Sequence, residues 1–174
     1  MIEREADRDE GGEAPCMAHH LSEPEGLTDS DFAQLARGLA DGLVIADGEG
    51  TISFWNDAAT RIFGWSATEA VGGSLDLIIP ERLRARHRVG YRRVMETGET
   101  HYHDVLLEVP ALHRDGRPLS IAFTVTLLRH PGVAAPFAIV ALLRDDTERW
   151  QERRELKRRL AELEAEVAAG APPP

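Results

Sequence analysis

The 174-residue sequence predicts an α+β domain: a five-stranded antiparallel sheet with helices on one face, flanked by an N-terminal and a C-terminal helix. Two observations predict this class. Short runs typical of β-strands lie at both ends of the central region, and residues with helical periodicity lie between them. The helical segment can therefore carry the chain across the sheet before the last strands are added. Hydrophobic residues make up 43% of the chain, which is enough for one core.

The composition changes near residue 27. Residues 1–27 are acidic, polar and interrupted by glycines and prolines, which predicts a disordered arm. Residues 28–40 predict a lead-in helix, because Thr28 or Ser30 can cap its first turn and apolar residues recur at helical spacing.

Residues 41–146 form the predicted domain. A β-hairpin is expected around residues 47–50, whose glycines permit a tight reversal, and short helices are expected after Asn56 and after Ser66. A longer helix is predicted from Glu81 to Thr97, since a glycine follows it. Three strand candidates complete the sheet: His101–Val109, Arg117–Arg129 and Phe137–Arg144.

The last strand leads into an exit helix at residues 147–168, followed by a disordered tail at 169–174. The helix has an apolar stripe of about two heptads, and a short coiled coil is one use of such a stripe. The stripe consists of Leu156, Leu160, Leu163 and Val167.

Composition and charge narrow the function classes. Lys+Arg 20 against Asp+Glu 30 gives a net charge of −10, which argues against nucleic acid or a membrane surface as partner. A single cysteine, Cys16, favours a reducing compartment, and the chain shows neither a signal sequence nor a spanning run, so we expect a cytoplasmic protein. Nucleophile-elbow, phosphate-loop and zinc-protease motifs are missing, which predicts a protein that is not an enzyme.

From about Asp41 to Arg149 the motifs DGxVIADxxGxIxxWNxAAxxxFGWSxxEAVG, IIPER, HRDGR and RDDTER follow in order. In this order and spacing they resemble the PAS sensor family. The resemblance implies a PAS fold and a small sensory or dimerisation module with a cavity between sheet and helices. The cysteine motif of the family's flavin-adduct photoreceptors is missing, because Cys16 lies outside the matching region.

The longer helix resembles that of the oxygen-sensing, haem-binding members of the family. His87 stands seven residues after Pro80 and ten before Thr97, the spacing of their iron-ligating histidine. The resemblance implies His87 as the metal ligand of a haem and Arg93 as the partner of a propionate. Leu107 occupies the position of the arginine that contacts oxygen in those proteins, a departure from the oxygen-binding pattern.

The residues give a parallel argument for His87. It shares a helical stripe with Leu83 and Gly90, so its imidazole is expected to face the core, and Gly90 leaves room for a ligand. The expected opposite wall is an alternating strand. The predicted ligand site comprises His87, Gly90, Arg93, Leu107, Ile121, Phe123 and Val125.

Two features of this helix keep alternatives open. Its six arginines suit either a clamp on ligand carboxylates or a solvated face. His87 suits either a haem, another small ligand, or a core histidine bonded to a backbone carbonyl.

The sequence therefore predicts a stand-alone PAS sensory module of signal transduction that binds a small ligand, haem or a metabolite. The signal is expected to pass through Asp145, Asp146 and Thr147 and the flanking helices to a separate output protein, because little chain follows the exit helix. The flanking helices also predict a homodimer. The alternative is a PAS dimerisation or adaptor protein that binds no ligand.

Overall fold

The computed structural model describes residues 26–99 and 106–170. Five strands and five α-helices lie in this part of the chain, with one short 3-10 helix between α3 and α4. In chain order they are α1 (Asp29–Gly38), β1 (Gly42–Asp47), β2 (Ile52–Trp55), α2 (Asp57–Phe63), α3 (Ala67–Ala70), the 3-10 helix (Leu75–Leu77), α4 (Glu81–Thr97), β3 (Leu107–Leu112), β4 (Pro118–Arg129), β5 (Pro136–Asp145) and α5 (Thr147–Gly170).

The strands form one antiparallel sheet in the order β2-β1-β5-β4-β3. The predicted five-stranded antiparallel sheet is thus confirmed. The segment containing α2, α3 and α4 carries the chain from β2 at one edge to β3 at the other. Strand β5 lies in the centre, paired with β1 on one side and β4 on the other.

Local chemistry explains where these elements turn. The carboxylate of Asp47 accepts hydrogen bonds from the backbone N–H groups of Glu49 and Thr51, at 3.0 and 2.9 Å, and thereby closes the β1–β2 turn. Gly50 in this turn has φ +84°, a conformation that favours glycine. Helix α4 ends at Gly98, which has φ +65°, so the predicted end of this helix is confirmed.

The core lies between the sheet and the short helices α2 and α3. Alternate residues of β1, β4 and β5 point into it, as the period of a strand requires. Its buried side chains are Val44, Ile52, Trp55, Ala59, Phe63, Ala70, Ile78, Ala111, Leu119, Ile121 and Leu143.

The other face of β4 is partly covered, although a strand of alternating polarity predicts a solvated face here. Ser120 and Ala122 lie on this face, yet they are only 7% and 5% exposed. Helix α5 begins against them: the backbone N–H of Ser120 donates to the hydroxyl of Thr147 at 3.1 Å. The start of the exit helix therefore covers one end of the outer face.

Several predicted boundaries can be compared with the described residues. The lead-in helix occupies residues 29–38 within the predicted 28–40, and the exit helix extends to residue 170. Strand β3 runs to residue 112, three residues beyond the predicted end of the strand candidate at 101–109. Residues 1–25, 100–105 and 171–174, which include most of the predicted arm and most of the tail, lie outside the described part. None of the helices within 26–99 and 106–170 combines the length and apolar character that a membrane crossing demands.

Candidate functional site

A cavity of about 410 Å³ lies between α4, the β1–β2 turn and the 3-10 helix. This volume falls within the range of roughly 300–1,000 Å³ that small-molecule sites occupy. Its wall is rich in charged and hydrogen-bonding side chains, and it includes the backbone of Gly48 and Gly50. The polar side chains include Glu49, Asp76, His87, Arg88, Tyr91 and Arg92.

His87 is the histidine of this cavity. Its side chain is half-buried, and burial lowers the pKa of His87 below the usual value of 6.5, while the charge of Asp76 opposes that shift. The imidazole is therefore mainly neutral at pH 7. A neutral imidazole has a free nitrogen lone pair for a metal or for a hydrogen-bond donor of a ligand.

Two contacts fix the wall around His87. The hydroxyl of Tyr91 donates to the carbonyl oxygen of Asp47 at 2.6 Å, which ties α4 to the end of β1. Burial raises the pKa of Tyr91, so this hydroxyl stays protonated. Arg88 pairs with Asp76 of the 3-10 helix at 2.6 Å. Helix α4 is thus bonded both to the end of β1 and to the 3-10 helix, and these contacts fix the wall of the cavity.

The other residues of the predicted ligand site lie elsewhere. Gly90 and Arg93 are exposed on α4, and neither lines the cavity; a Cβ at Gly90 would have no neighbour within 4 Å. Ile121 and Phe123 pack in or against the hydrophobic core. Leu107 and Val125 are half-buried and also do not line this cavity.

The structure brings the predicted transmission residues together at the β5–α5 junction. Asp145 ends β5, and its carboxylate accepts the backbone N–H of Thr147 at 2.9 Å. The Thr147 hydroxyl lies against the backbone of Ser120 in β4. Asp146 is buried and donates its backbone N–H to the carbonyl of Ser120 at 2.9 Å. The first turn of the exit helix is therefore bonded directly to the sheet.

The donor set of the cavity fits the demands of a haem at two points. His87 offers a neutral imidazole of the kind that ligates haem iron. Arg92 lines the same cavity and offers a guanidinium group suited to a carboxylate, whereas Arg88 is already paired with Asp76. Within the described residues, no group of three or more His, Cys, Asp or Glu side chains is placed to hold a metal ion without such a cofactor.

Sequence reasoning missed three features that shape this region. Asn56 is 2% exposed and bonds to four backbone groups; an Asn between a strand and a helical run is a typical N-cap, which was the available signal. Tyr91 follows His87 by four residues and so shares its stripe. The pairing of Asp76 with Arg88 had no local signal.

These features match a known family. The model of the PAS fold matches residues 30–145, and the chain belongs to this family. It is a PAS sensory domain, and the predicted membership is confirmed.

Two similar curated proteins are sensors. The sensor protein FixL of Bradyrhizobium diazoefficiens is 30% identical over 129 residues, which cover 74% of this chain and 24% of FixL. The oxygen sensor protein DosP of Escherichia coli is 25% identical over 121 residues, which cover 66% of this chain and 15% of DosP. The chain thus spans at most about a quarter of the length of these relatives.

A solved structure supports the fold alone. The PAS domain of a protein from Colwellia psychrerythraea superposes with a TM-score of 0.59 at 18% identity, covering 68% of this chain and 97% of that domain.

Proposed function

We propose that this PAS domain acts in the cytoplasm as a sensory module that binds a small ligand in the α4 cavity and transmits the change through α5 to an output protein. The observation that carries the proposal is the neutral, half-buried His87 in a cavity of ligand size. A ligand can shift the attached helices only if it binds their two arrangements with different affinity.

Haem is the ligand class that we test first. His87 would hold the iron, and Arg92 would hold a propionate carboxylate. When bound, haem supplies an iron centre for a gas or a redox change. Burial of His87 serves this role because it keeps the ligating imidazole unprotonated at neutral pH.

The test is the absorption spectrum of protein expressed with a haem precursor, recorded oxidised, reduced and under carbon monoxide. We expect a strong Soret band in the wild type that is lost in His87→Ala. His130→Ala is the matched control, because His130 is exposed, stacks on Phe137 and does not line the cavity, and it should keep the band. A featureless spectrum in all three proteins would overturn haem as the ligand.

A metabolite is the ligand that remains if haem fails. Arg92 lines the cavity with His87, and its guanidinium group suits a compound with an anionic group. Mass spectrometry of small molecules released from denatured wild type and Arg92→Ala tests this. A compound retained only by the wild type supports a metabolite sensor, and identical profiles contradict it.

A second function, dimerisation without a ligand, is favoured by the exposed apolar residues of the flanking helices. Phe32 and Leu35 of α1 are exposed, as is the whole apolar stripe of α5. Sedimentation at micromolar concentration should show a homodimer that Leu160→Glu weakens, whereas Lys157→Glu, outside the stripe, should not weaken it. A monomeric wild type would refute this second function.

A further inference from the structure

Arg153 joins the exit helix to two different carboxylates. Its Nη1 and Nη2 lie 2.7 and 2.9 Å from the two carboxylate oxygens of Glu108, in a forked arrangement. The same Nη2 lies 2.7 Å from Oδ2 of Asp146. Glu108 belongs to β3, whereas Asp146 immediately precedes α5, so one guanidinium bridges the edge of the sheet and the start of the helix.

The two contacts of Arg153 differ in their surroundings. The side chain of Asp146 is 7% exposed, and a buried carboxylate that loses its paired cation carries a large desolvation penalty. The side chain of Glu108 is 40% exposed, and ion pairs in such surroundings contribute little to stability. The bond to Asp146 is therefore the lasting one, and the bond to Glu108 is the one that can open.

Glu108 links Arg153 to the edge strand of the sheet. Glu108 follows Leu107 at the start of β3, the edge strand that the chain enters after α4. Its register partner is Ala122, one of the residues buried beneath the start of α5. The fork of Arg153 onto Glu108 therefore ties the start of this edge strand to the exit helix.

We propose that Arg153 and Glu108 are positioning residues that hold the first turns of α5 on the outer face of the sheet, and that loss of the Glu108 contact alone loosens this hold. The inference rests on the proposed function in one respect, namely that the signal leaves through α5. The device itself is a property of the protein without a ligand, because all three side chains belong to this chain.

Hydrogen–deuterium exchange of the ligand-free protein tests the proposal. Glu108→Gln removes the charge but keeps the shape, and the exposed position of Glu108 lets the variant fold. We expect exchange of the amides at residues 149–157 to become about two- to fivefold faster, as the loss of an exposed ion pair implies. Glu164→Gln is the control, because Glu164 is an exposed acid farther along the same helix.

Arg153→Lys provides the second variant, since a lysine keeps the charge beside Asp146 but cannot fork onto Glu108. It should accelerate the same amides, and the double variant Glu108→Gln/Arg153→Lys should add nothing further. Unchanged exchange in α5, additive effects, or equal acceleration in α2 and β5 would overturn the proposal. A failed search for a ligand would count against the proposed function and leave this result unaffected.

Discussion

The two flanking helices are attached to the same sheet by different chemistry. The end of α1 is held by Asn56, whose amide nitrogen donates to the carbonyl oxygens of Ala36 and Asp41 at 3.2 and 3.0 Å. Its amide oxygen accepts the backbone N–H groups of Leu43 and Ala59, both at 2.9 Å. One neutral, buried side chain thus binds α1, β1 and α2 together.

The start of α5 depends on a hydroxyl and on charges instead. Thr147 bonds to the backbone of Ser120, and Arg153 reaches Glu108 and Asp146. The two attachments therefore respond differently to salt and to pH. A buried amide network is insensitive to salt and to moderate pH, whereas ion pairs that water can reach weaken with salt. Helix α1 therefore suits a fixed support, and α5 suits an element that moves.

The largest expected effect comes from removing the neutral anchor. Asn56→Ala removes the partner of one buried and three partly buried backbone groups, and a buried group left without a partner costs about 1–3 kcal/mol. We expect the free energy of unfolding to fall by about 3 kcal/mol or more, measured by urea denaturation. Asn56→Asp keeps an acceptor for Leu43 and Ala59 but turns a carboxylate oxygen toward the carbonyls of Ala36 and Asp41, so it should not restore the wild-type stability. A loss below about 1 kcal/mol for the alanine variant would contradict the anchor role.

A smaller and more local effect is expected at the α5 anchor. Thr147→Val keeps the shape of the side chain but removes the acceptor for the backbone N–H of Ser120. The expected loss is about 1 kcal/mol, together with faster amide exchange in the first turn of α5 while α1 exchanges as in the wild type. The matched control is Thr126→Val, which makes the same change at an exposed threonine of β4. Equal acceleration in both flanking helices would erase the distinction between the anchors.

Much of this fold could be predicted because its signals are local. Pro80 and Gly98 bracket α4, and the glycines after Asp47 mark the β1–β2 turn, so both elements lie where the sequence places them. The covered outer face could not be predicted in this way. Ser120 and Ala122 look like solvated positions of an alternating strand until a helix from a distant part of the chain covers them.

The candidate site, too, could be predicted from local signals only in part. Helical periodicity predicts that His87 turns inward, and the structure places it half-buried in a cavity. The periodicity does not state which neighbour the imidazole meets. The answer depends on how α4 lies over the β1–β2 turn and on the pairing of Arg88 with Asp76, both of which are tertiary contacts. Ligand binding by the predicted residues outside this cavity stays a prediction; they are Gly90, Arg93, Leu107, Ile121, Phe123 and Val125.

The smallest expected effect tests an ion pair between the α1–β1 connection and the sheet. Arg144 forms a forked pair with Asp41 at 2.9 and 2.6 Å, and its hydrogen bond lowers the pKa of Asp41 below the usual 3.8. A carboxylate whose pKa is lowered on folding adds stability that is fully present above the usual pKa of 3.8 and is lost as the pH falls through the lower pKa of the folded state. Asp41→Asn should therefore be slightly less stable than the wild type at pH 7, and the gap should close in acid and in high salt. A stability difference that depends on neither pH nor salt would attribute the effect to the backbone around Asn56 rather than to the ion pair. The attachment of α1 would then be neutral throughout.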